Sequence, residues 1–296
     1  MNQPFVSVII PVYNDSNRLE IALQSLYLQT YPYSKYEIIV VDNASDDSER
    51  EKVKIIVNKF PNTKLLYEPK RGCCAARNRG ITAANGEVFA FTDADCIPTL
   101  NWIAAGVQAF LEHPNIGLVA GHIRFFFKGD RPTVAEYVDS IFYLRQKDYV
   151  RHHYGATANV FTSRKVLETV GLFNDQLPAL GDKEWGQRVF KAGYKVIYSP
   201  YAVVRHPARN RKQLMAKVQR CAVGNWVIYQ KLTWKEFWGL VSPINPTEYR
   251  KVIEDSNLKG FKEKLTFILT VNQLKYTTAF TIIRCWLSYQ LSKSST

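Results

Sequence analysis

The chain alternates short apolar runs with segments of helical spacing. Val6-Ser7-Val8-Ile9-Ile10-Pro11 reads as a buried strand stopped by proline, and Leu19, Ala22, Leu23 and Leu26 then recur along one helix face. Tyr36 to Asp42 is a second strand, after which the cap-rich run Asn43-Ala44-Ser45-Asp46-Asp47 opens a helix to about Lys59. Lys64 to Tyr67 and Glu87 to Thr92 read as the third and fourth strands. Between them, Arg71 to Gly80 gives a loop and a small-residue helix that can pack closely. Helix is expected over about Leu100–Leu111, Pro132–Tyr149, Ser163–Gly171 and Gly181–Ala192, the last closing at Gly193. Strands are expected near Gly117–Ile123, Ala158–Phe161, Val196–Tyr198 and Ala202–Arg205. Continuous apolar strands separated by helices predict an α/β fold with a mostly parallel sheet covered on both faces.

Beyond residue 206 the pattern turns helical, over about Asn210–Lys231 and Gly260–Leu291. The longest charge-free stretches of the last segment, Leu265–Leu274 and Tyr276–Ile283, are split by Lys275. Both are far shorter than the roughly 20 residues a bilayer span requires. Such a helix either lies on a membrane or packs on the rest of the protein.

Three strand ends carry chemistry to one edge: Pro11 to Tyr13, Asp42, and Asp93-Ala94-Asp95. Open α/β sheets bind ligands at the C-terminal ends of their strands. Paired carboxylates there suit a hard divalent cation, Mg2+ or Mn2+, of the kind used to hold a diphosphate and neutralise its departing charge.

Charge sharpens the division of the chain. The 296 residues carry a net +13, yet from His206 onward 15 Lys and Arg face only 5 Asp and Glu. Four of the six tryptophans, Trp226, Trp234, Trp238 and Trp286, lie in the same stretch. A basic, aromatic extension suits an anionic lipid surface or nucleic acid, and the nearly neutral first 205 residues argue against nucleic acid. The five cysteines include no CxxC and only the adjacent pair Cys73-Cys74, which points to a reducing compartment and small apolar side chains. The opening Met1-Asn2-Gln3-Pro4 does not read as a signal peptide, so a cytoplasmic location is expected.

Taken in order, Val6 to Asn14, Val40 to Asp47, Ala76-Arg77-Asn78-Arg79-Gly80, Asp93-Ala94-Asp95, Gly171 to Asp175, Gly181 to Val189, Ala192-Gly193-Tyr194 and Val204-Arg205-His206 resemble the family 2 glycosyltransferases over about residues 5–206. The resemblance implies a GT-A fold, Rossmann-like, over 1–206 with a helical extension over 207–296. It also implies an inverting transfer from a nucleotide-diphosphate sugar, with UDP as the expected nucleotide, to a glycan or lipid-linked acceptor. In this reading Pro11, Tyr13 and Asp42 line the base pocket, and Tyr13 stacks on the base. Arg77 lies near the nucleotide, Asp93 holds ribose or metal, Asp95 ligates the metal and His206 resembles a second ligand. Thr157 and Asn159 fall where related enzymes contact the donor sugar.

An inverting transfer needs a carboxylate to take the acceptor's proton. Family members usually show Glu-Asp before a helix with Arg six residues after the Asp. Here Gly181-Asp182 is followed by Arg188, so the resemblance makes Asp182 the base and leaves it without the preceding Glu. Glu184 is the alternative, unless it pairs with Arg188 four residues on, and Trp185 either walls the acceptor site or enters the core. Two other readings stand beside this one. A nucleotidyltransferase would carry a Gly-rich basic signature after the first strand, and Pro11-Val12-Tyr13-Asn14-Asp15 has none. A non-enzymatic basic module binding lipid or nucleic acid would use the +13 charge. A dinucleotide dehydrogenase would need G-x-G-x-x-G after that strand. The picture as a whole is an enzyme held peripherally on the inner face of the cell membrane through 207–296, with no nucleic-acid partner.

Overall fold

Seven apolar-rich residues, Val6–Val12, form β1, and only Pro11 among them is not fully buried. The computed structural model describes residues 3–112, 115–230, 233–242, 258 and 260–294. They form two compact units. The first holds the chain up to Phe126, Leu144–Gln176 and Gly181–Pro207, and the second holds Phe127–Tyr143, Leu177–Leu180 and the residues from Ala208 onward. Phe127–Tyr143 and Leu177–Leu180 thus group with residues beyond 207, whereas the sequence division at 206 set them with the first part.

In the first unit β1 is followed by α1 (Ser16–Tyr27), β2 (Tyr36–Asp42), α2 (Asp47–Val57), β3 (Thr63–Tyr67), α3 (Cys73–Ala83), β4 (Val88–Thr92), the two-residue β5 (Ile97–Pro98) and α4 (Trp102–Leu111). The sheet order is β3-β2-β1-β4-β7-β6-β8-β5, where β6 is Ile116–Phe126, β7 Asn159–Ser163 and β8 Lys195–Pro207. Pairings within β3-β2-β1-β4 and between β6 and β8 are parallel; β7 runs antiparallel to both β4 and β6, and β5 to β8. The sheet is mixed and mostly parallel, as the apolar runs implied.

Both faces are covered. Leu19, Leu23 and Leu26 of α1, Val53 and Val57 of α2 and Trp102 and Ile103 of α4 pack with Val6, Val8 and Ile10 on one side. Cys74, Ala76 and Ile81 of α3 pack with Ile9, Phe89 and Phe91 on the other. They are joined there by α7 (Arg164–Val170) and α8 (Gly181–Lys191), through Val166, Leu167, Trp185 and Val189. Each fully buried Leu or Ile contributes about 2 kcal/mol of transfer free energy. Small residues let α3 approach the sheet: a Cβ on Gly80 would lie 2.6 Å from Ile9 Cγ2.

The root of the sheet is tied by a buried carboxylate. Glu37 Oε1 accepts from Ser7 Oγ at 2.8 Å and from the Asn85 N–H at 2.6 Å, and Oε2 accepts from Lys64 Nζ at 2.7 Å. These bonds outweigh burial and hold the Glu37 carboxyl below its ordinary value.

Two segments differ from their sequence reading. The helix expected over 132–149 is α5 (Val134–Phe142) followed by α6 (Gln146–Arg151), because Tyr143 turns extended (φ -123, ψ 160) and Leu144 takes φ 54. The two strands expected near 196 and 202 are the single β8, whose pairing with β6 jumps from Gly121–Ser199 to His122–Val203. A bulge, not a turn, interrupts it.

The second unit is helical, comprising α5, α9 (Arg211–Tyr229), α10 (Trp234–Val241) and a final 34-residue helix, Phe261–Ser294. Val138, Leu214, Val218, Phe267 and Leu274 form its core. Thr133 and Glu136 make a reciprocal capping box at the start of α5, and the fully buried Asp139 accepts from the Arg209 backbone N–H at 2.9 Å. Among the described residues no helix is long and apolar enough to cross a membrane.

Candidate active site

The C-terminal ends of β1, β2 and β4 form the edge that carries the acidic motifs. β1 pairs with β4 only as far as Ile9–Phe91 but with β2 as far as Val12–Asp42. Past Ile9 the β4 side of β1 is unpaired, which is where a proline lacking an N–H is tolerated, and Pro11 sits there. Tyr13 follows, 46% exposed, with the Arg71 guanidinium 4.7 Å from its ring centroid. Asn14 (φ 49) ties this loop to the next, exchanging bonds of 2.8 and 2.9 Å with Asp46.

Asp42 is buried, and both its oxygens are engaged within the protein. Oδ1 accepts from the Ser45 N–H at 3.3 Å and Oδ2 from Arg50 Nε at 3.2 Å. Its carboxylate holds the loop behind Tyr13.

The close approach of α3 to β1 brings Arg77 to the end of β4. Arg77 is 4% exposed and donates from Nη2 to Asp93 Oδ1 at 2.8 Å, while its buried Nε has no hydrogen-bond partner. The same guanidinium acts electrostatically on Asp182, the second residue of α8. Burial raises the Asp182 carboxyl above its ordinary value and Asp93 adds to the rise; Arg77 and the backbone N–H groups of Lys183 and Thr157 oppose it. The Lys183 N–H lies 2.8 Å from Asp182 Oδ1. The geometry therefore joins Asp182, Arg77 and Asp93, which lie far apart in sequence, into one charge cluster.

Glu184 is spent elsewhere. It receives Arg188 in a two-point ion pair at 2.7 and 3.0 Å, and Arg188 also donates to the carbonyls of Val170 and Leu172. Trp185 is fully buried with its indole N–H on the Gly171 carbonyl, so it belongs to the core and not to an acceptor wall.

Asn159, expected at the donor sugar, is likewise committed within the protein. Its Oδ1 accepts from Trp102 Nε1 at 2.9 Å and its Nδ2 donates to the carbonyls of His122 and Ala202 at 2.9 and 2.8 Å. A fully buried amide committed on both sides fastens α4, β6 and β8 together and presents no surface to a sugar hydroxyl. Thr157 is also buried, and its contribution to the site is the backbone N–H turned to Asp182.

A second cluster surrounds Asp95. His206 Nε2 lies 3.8 Å from Asp95 Oδ1, and the donor atoms of Asp95, Cys96 and His206 all fall within 4.8 Å of one another. His206 Nδ1 sits 2.7 Å from the Pro207 carbonyl. A carbonyl only accepts, so that contact places a proton on Nδ1 and leaves Nε2 as the ring atom facing the carboxylate, an orientation that outer-shell carbonyls also give to metal-binding histidines. A carboxylate oxygen and an imidazole nitrogen 3.8 Å apart would both be available to one divalent cation. The oxygen-nitrogen pair therefore suits a divalent ion. Arg18 reaches the same carboxylate, 3.7 Å from Asp95 Oδ2 and 2.7 Å from Asp15.

Arg18, Arg71, Cys96 and the vicinal Cys73-Cys74 were absent from the sequence-derived site. Cys73 is exposed at the first turn of α3, where the Cys74 thiol donating to it and Arg77 lower its thiol below the ordinary value. An arginine four residues past a cysteine at a helix start was the available signal.

The family model described as "Glycosyl transferase family 2" matches residues 7–171. Among characterised proteins, the chain is similar to "Glycosyltransferase AglE" of Haloferax volcanii, 36% identical over 223 residues that span 75% of this chain and 73% of that protein. It is also similar to "Dolichyl N-acetyl-alpha-D-glucosaminyl phosphate 3-beta-D-2,3-diacetamido-2,3-dideoxy-beta-D-glucuronosyltransferase" of Methanococcus voltae, 24% identical over 70% of this chain and 68% of that protein. Among solved structures, the mannosyltransferase PcManGT of Pyrobaculum calidifontis, in complex with GDP-Man and Mn2+, superposes with a TM-score of 0.61 at 21% identity, covering 100% of this chain and 80% of that one. S. aureus TarS 1-349 in complex with UDP superposes with a TM-score of 0.55 at 16% identity over 97% of this chain and 92% of that one. These two likenesses establish the fold.

Proposed function

The chain belongs to glycosyl transferase family 2 and has the GT-A fold, and on that premise we propose that it is an inverting, metal-dependent transferase with Asp182 as general base. The donor is a nucleoside-diphosphate sugar, with UDP-sugars the first to assay, and the acceptor is a hydroxyl of a glycan or of a lipid-linked saccharide. The observation that carries the reading is the single charge cluster made by Asp182, Arg77 and Asp93 beside the Asp95–His206 pair. The lipid-linked acceptor is favoured by the dolichyl N-acetyl-alpha-D-glucosaminyl phosphate in the name of the Methanococcus voltae relative.

Each residue has a part. Tyr13 offers an exposed ring to the base, and Pro11 and Asp42 set the loop that holds it. Arg77 fixes Asp93 toward the ribose and keeps Nε for a phosphate oxygen, where a guanidinium binds well. Asp95 and His206 would hold Mn2+ or Mg2+, with Asp93 adjacent, and a divalent ion there would offset the charge of the leaving nucleoside diphosphate. Asp182 takes the proton of the acceptor hydroxyl as that hydroxyl's oxygen bonds to the anomeric carbon. The bond to the diphosphate breaks on the opposite face, and the nucleoside diphosphate departs with the electron pair. The Thr157 N–H orients the Asp182 carboxylate.

The reading also includes division of labour along the chain: catalysis in 1–206 and peripheral attachment at a cytoplasmic membrane face through 207–296. A panel of UDP-, GDP- and TDP-sugars with Mn2+ or Mg2+, against EDTA, tests the catalytic part through released nucleotide. Release from one donor that stops with EDTA is the expected result. No release from any donor, with or without a lipid-linked acceptor, would overturn it.

A further inference from the structure

The final helix presents an ordered apolar stripe to solvent. Leu265, Leu269, Tyr276, Phe280 and Leu287 are 42%, 60%, 44%, 68% and 48% exposed. They fall in two series eleven residues apart, 265–276–287 and 269–280. Eleven residues make three turns of 3.67 residues, close to the 3.6 of a straight helix, so the series stay on one face. Phe261, 81% exposed, continues it toward the N-terminus. The opposite face carries Phe267, Leu274 and Thr281, buried in the second unit. The helix therefore has one apolar face committed to its own core and a second turned outward. The mean pattern over 34 residues hides this, because both faces are apolar.

Charge identifies the occupant. The helix holds five Lys and Arg and one carboxylate, Glu263. At 100° per residue Lys264 falls along one border of the stripe, Arg284 along the other and Lys262 within it, while Glu263 points to the far side. All three of these basic residues are exposed. An apolar band edged by cations, on a helix that does not span, matches a bilayer interface with anionic headgroups. A second copy packed through this face would need carboxylates placed against those cations, and this helix offers none on that face.

We infer that the final helix lies in the plane of an anionic lipid surface, with Leu265, Leu269, Tyr276, Phe280 and Leu287 in the acyl boundary and Lys262, Lys264 and Arg284 on headgroups. The inference rests on the peripheral-attachment part of the proposed function and assigns it to this face. About 33 Å of helix separates residues 265 and 287 at 1.5 Å per residue, so contact would be made along a line and not at a point.

The test is flotation of the full chain with phosphatidylcholine vesicles containing or lacking phosphatidylserine. Wild type is compared with Leu269→Glu/Phe280→Glu and with the milder Leu269→Ser/Phe280→Ser, using thermal melting to confirm the fold and released nucleotide to confirm the catalytic unit. Wild type should float with the anionic vesicles, and both variants should lose about tenfold or more in partitioning with unchanged melting and nucleotide release. Equal flotation of wild type and variants overturns the stripe while leaving attachment through another surface standing. No flotation of wild type overturns attachment as well, with the catalytic reading still judged by nucleotide release. A wild-type dimer in light scattering that the variants convert to monomer overturns the lipid assignment in favour of a second copy.

Discussion

Arg77 Nη2 donates to Asp93 Oδ1 at 2.8 Å while the buried Nε of the same guanidinium is left without a hydrogen-bond partner. A buried charged donor with unused capacity is costly unless a ligand completes it. Arg77→Lys keeps the charge but loses the planar fork. It should weaken donor binding about tenfold or more, read by calorimetry with the nucleoside diphosphate, with little change in melting temperature.

Asp182 yields a sharper separation of binding from chemistry. Asp182→Asn should keep nucleotide affinity and lower transfer by about 10²–10⁴-fold, the usual contribution of a positioned base. Loss of nucleotide affinity with transfer intact would contradict the role.

The pH profile follows from the same cluster. Burial raises the Asp182 carboxyl and Arg77 opposes the rise, so the acid limb of kcat should lie above the ordinary aspartate range. Removing the cation with Arg77→Met should move that limb to still higher pH. A limb that stays in place in this variant would show that Arg77 does not act on the base.

The metal reading is measurable without turnover. Mn2+ affinity, followed by electron paramagnetic resonance, should fall at least tenfold in Asp95→Ala and in His206→Ala, since each removes one of two facing donors. In Glu184→Ala it should not change, because that carboxylate belongs to Arg188.

Asn159→Ala is predicted to damage stability and not donor recognition. It strips the partners from Trp102 Nε1 and from the carbonyls of His122 and Ala202, at a cost of about 3 kcal/mol by the penalty for unmet buried polar groups. Urea unfolding measures this directly.

What could be read from the sequence follows physical lines. Strands β1, β2 and β4 were visible because a strand covered on both faces must be continuously apolar, and the acidic ends of β2 and β4 were visible because a carboxylate breaks an apolar run sharply. The two-residue β5 carries too little pattern to register. The bulge in β8 left apolar runs that resemble two strands, since Pro200 and Tyr201 interrupt them without ending the pairing. Asn159 misled for a chemical reason: a polar residue near a site looks like a ligand until the core donors that saturate it are located. Arg18 and Cys96 reach the site through contacts between segments distant in sequence, which periodicity does not encode. The stripe of the final helix escaped because its spacing emerges only once the buried face is known.

The carboxyl at the root of the sheet and the one at its rim respond to acid in opposite senses. Glu37 is lowered by the groups that grip it; its stabilisation is complete above the unfolded glutamate value and fades only as pH drops through the depressed folded value. Asp182 is raised and takes up its proton first. Mild acidification should therefore silence the enzyme while its circular dichroism stays intact, and neutralisation should restore full turnover without any refolding step.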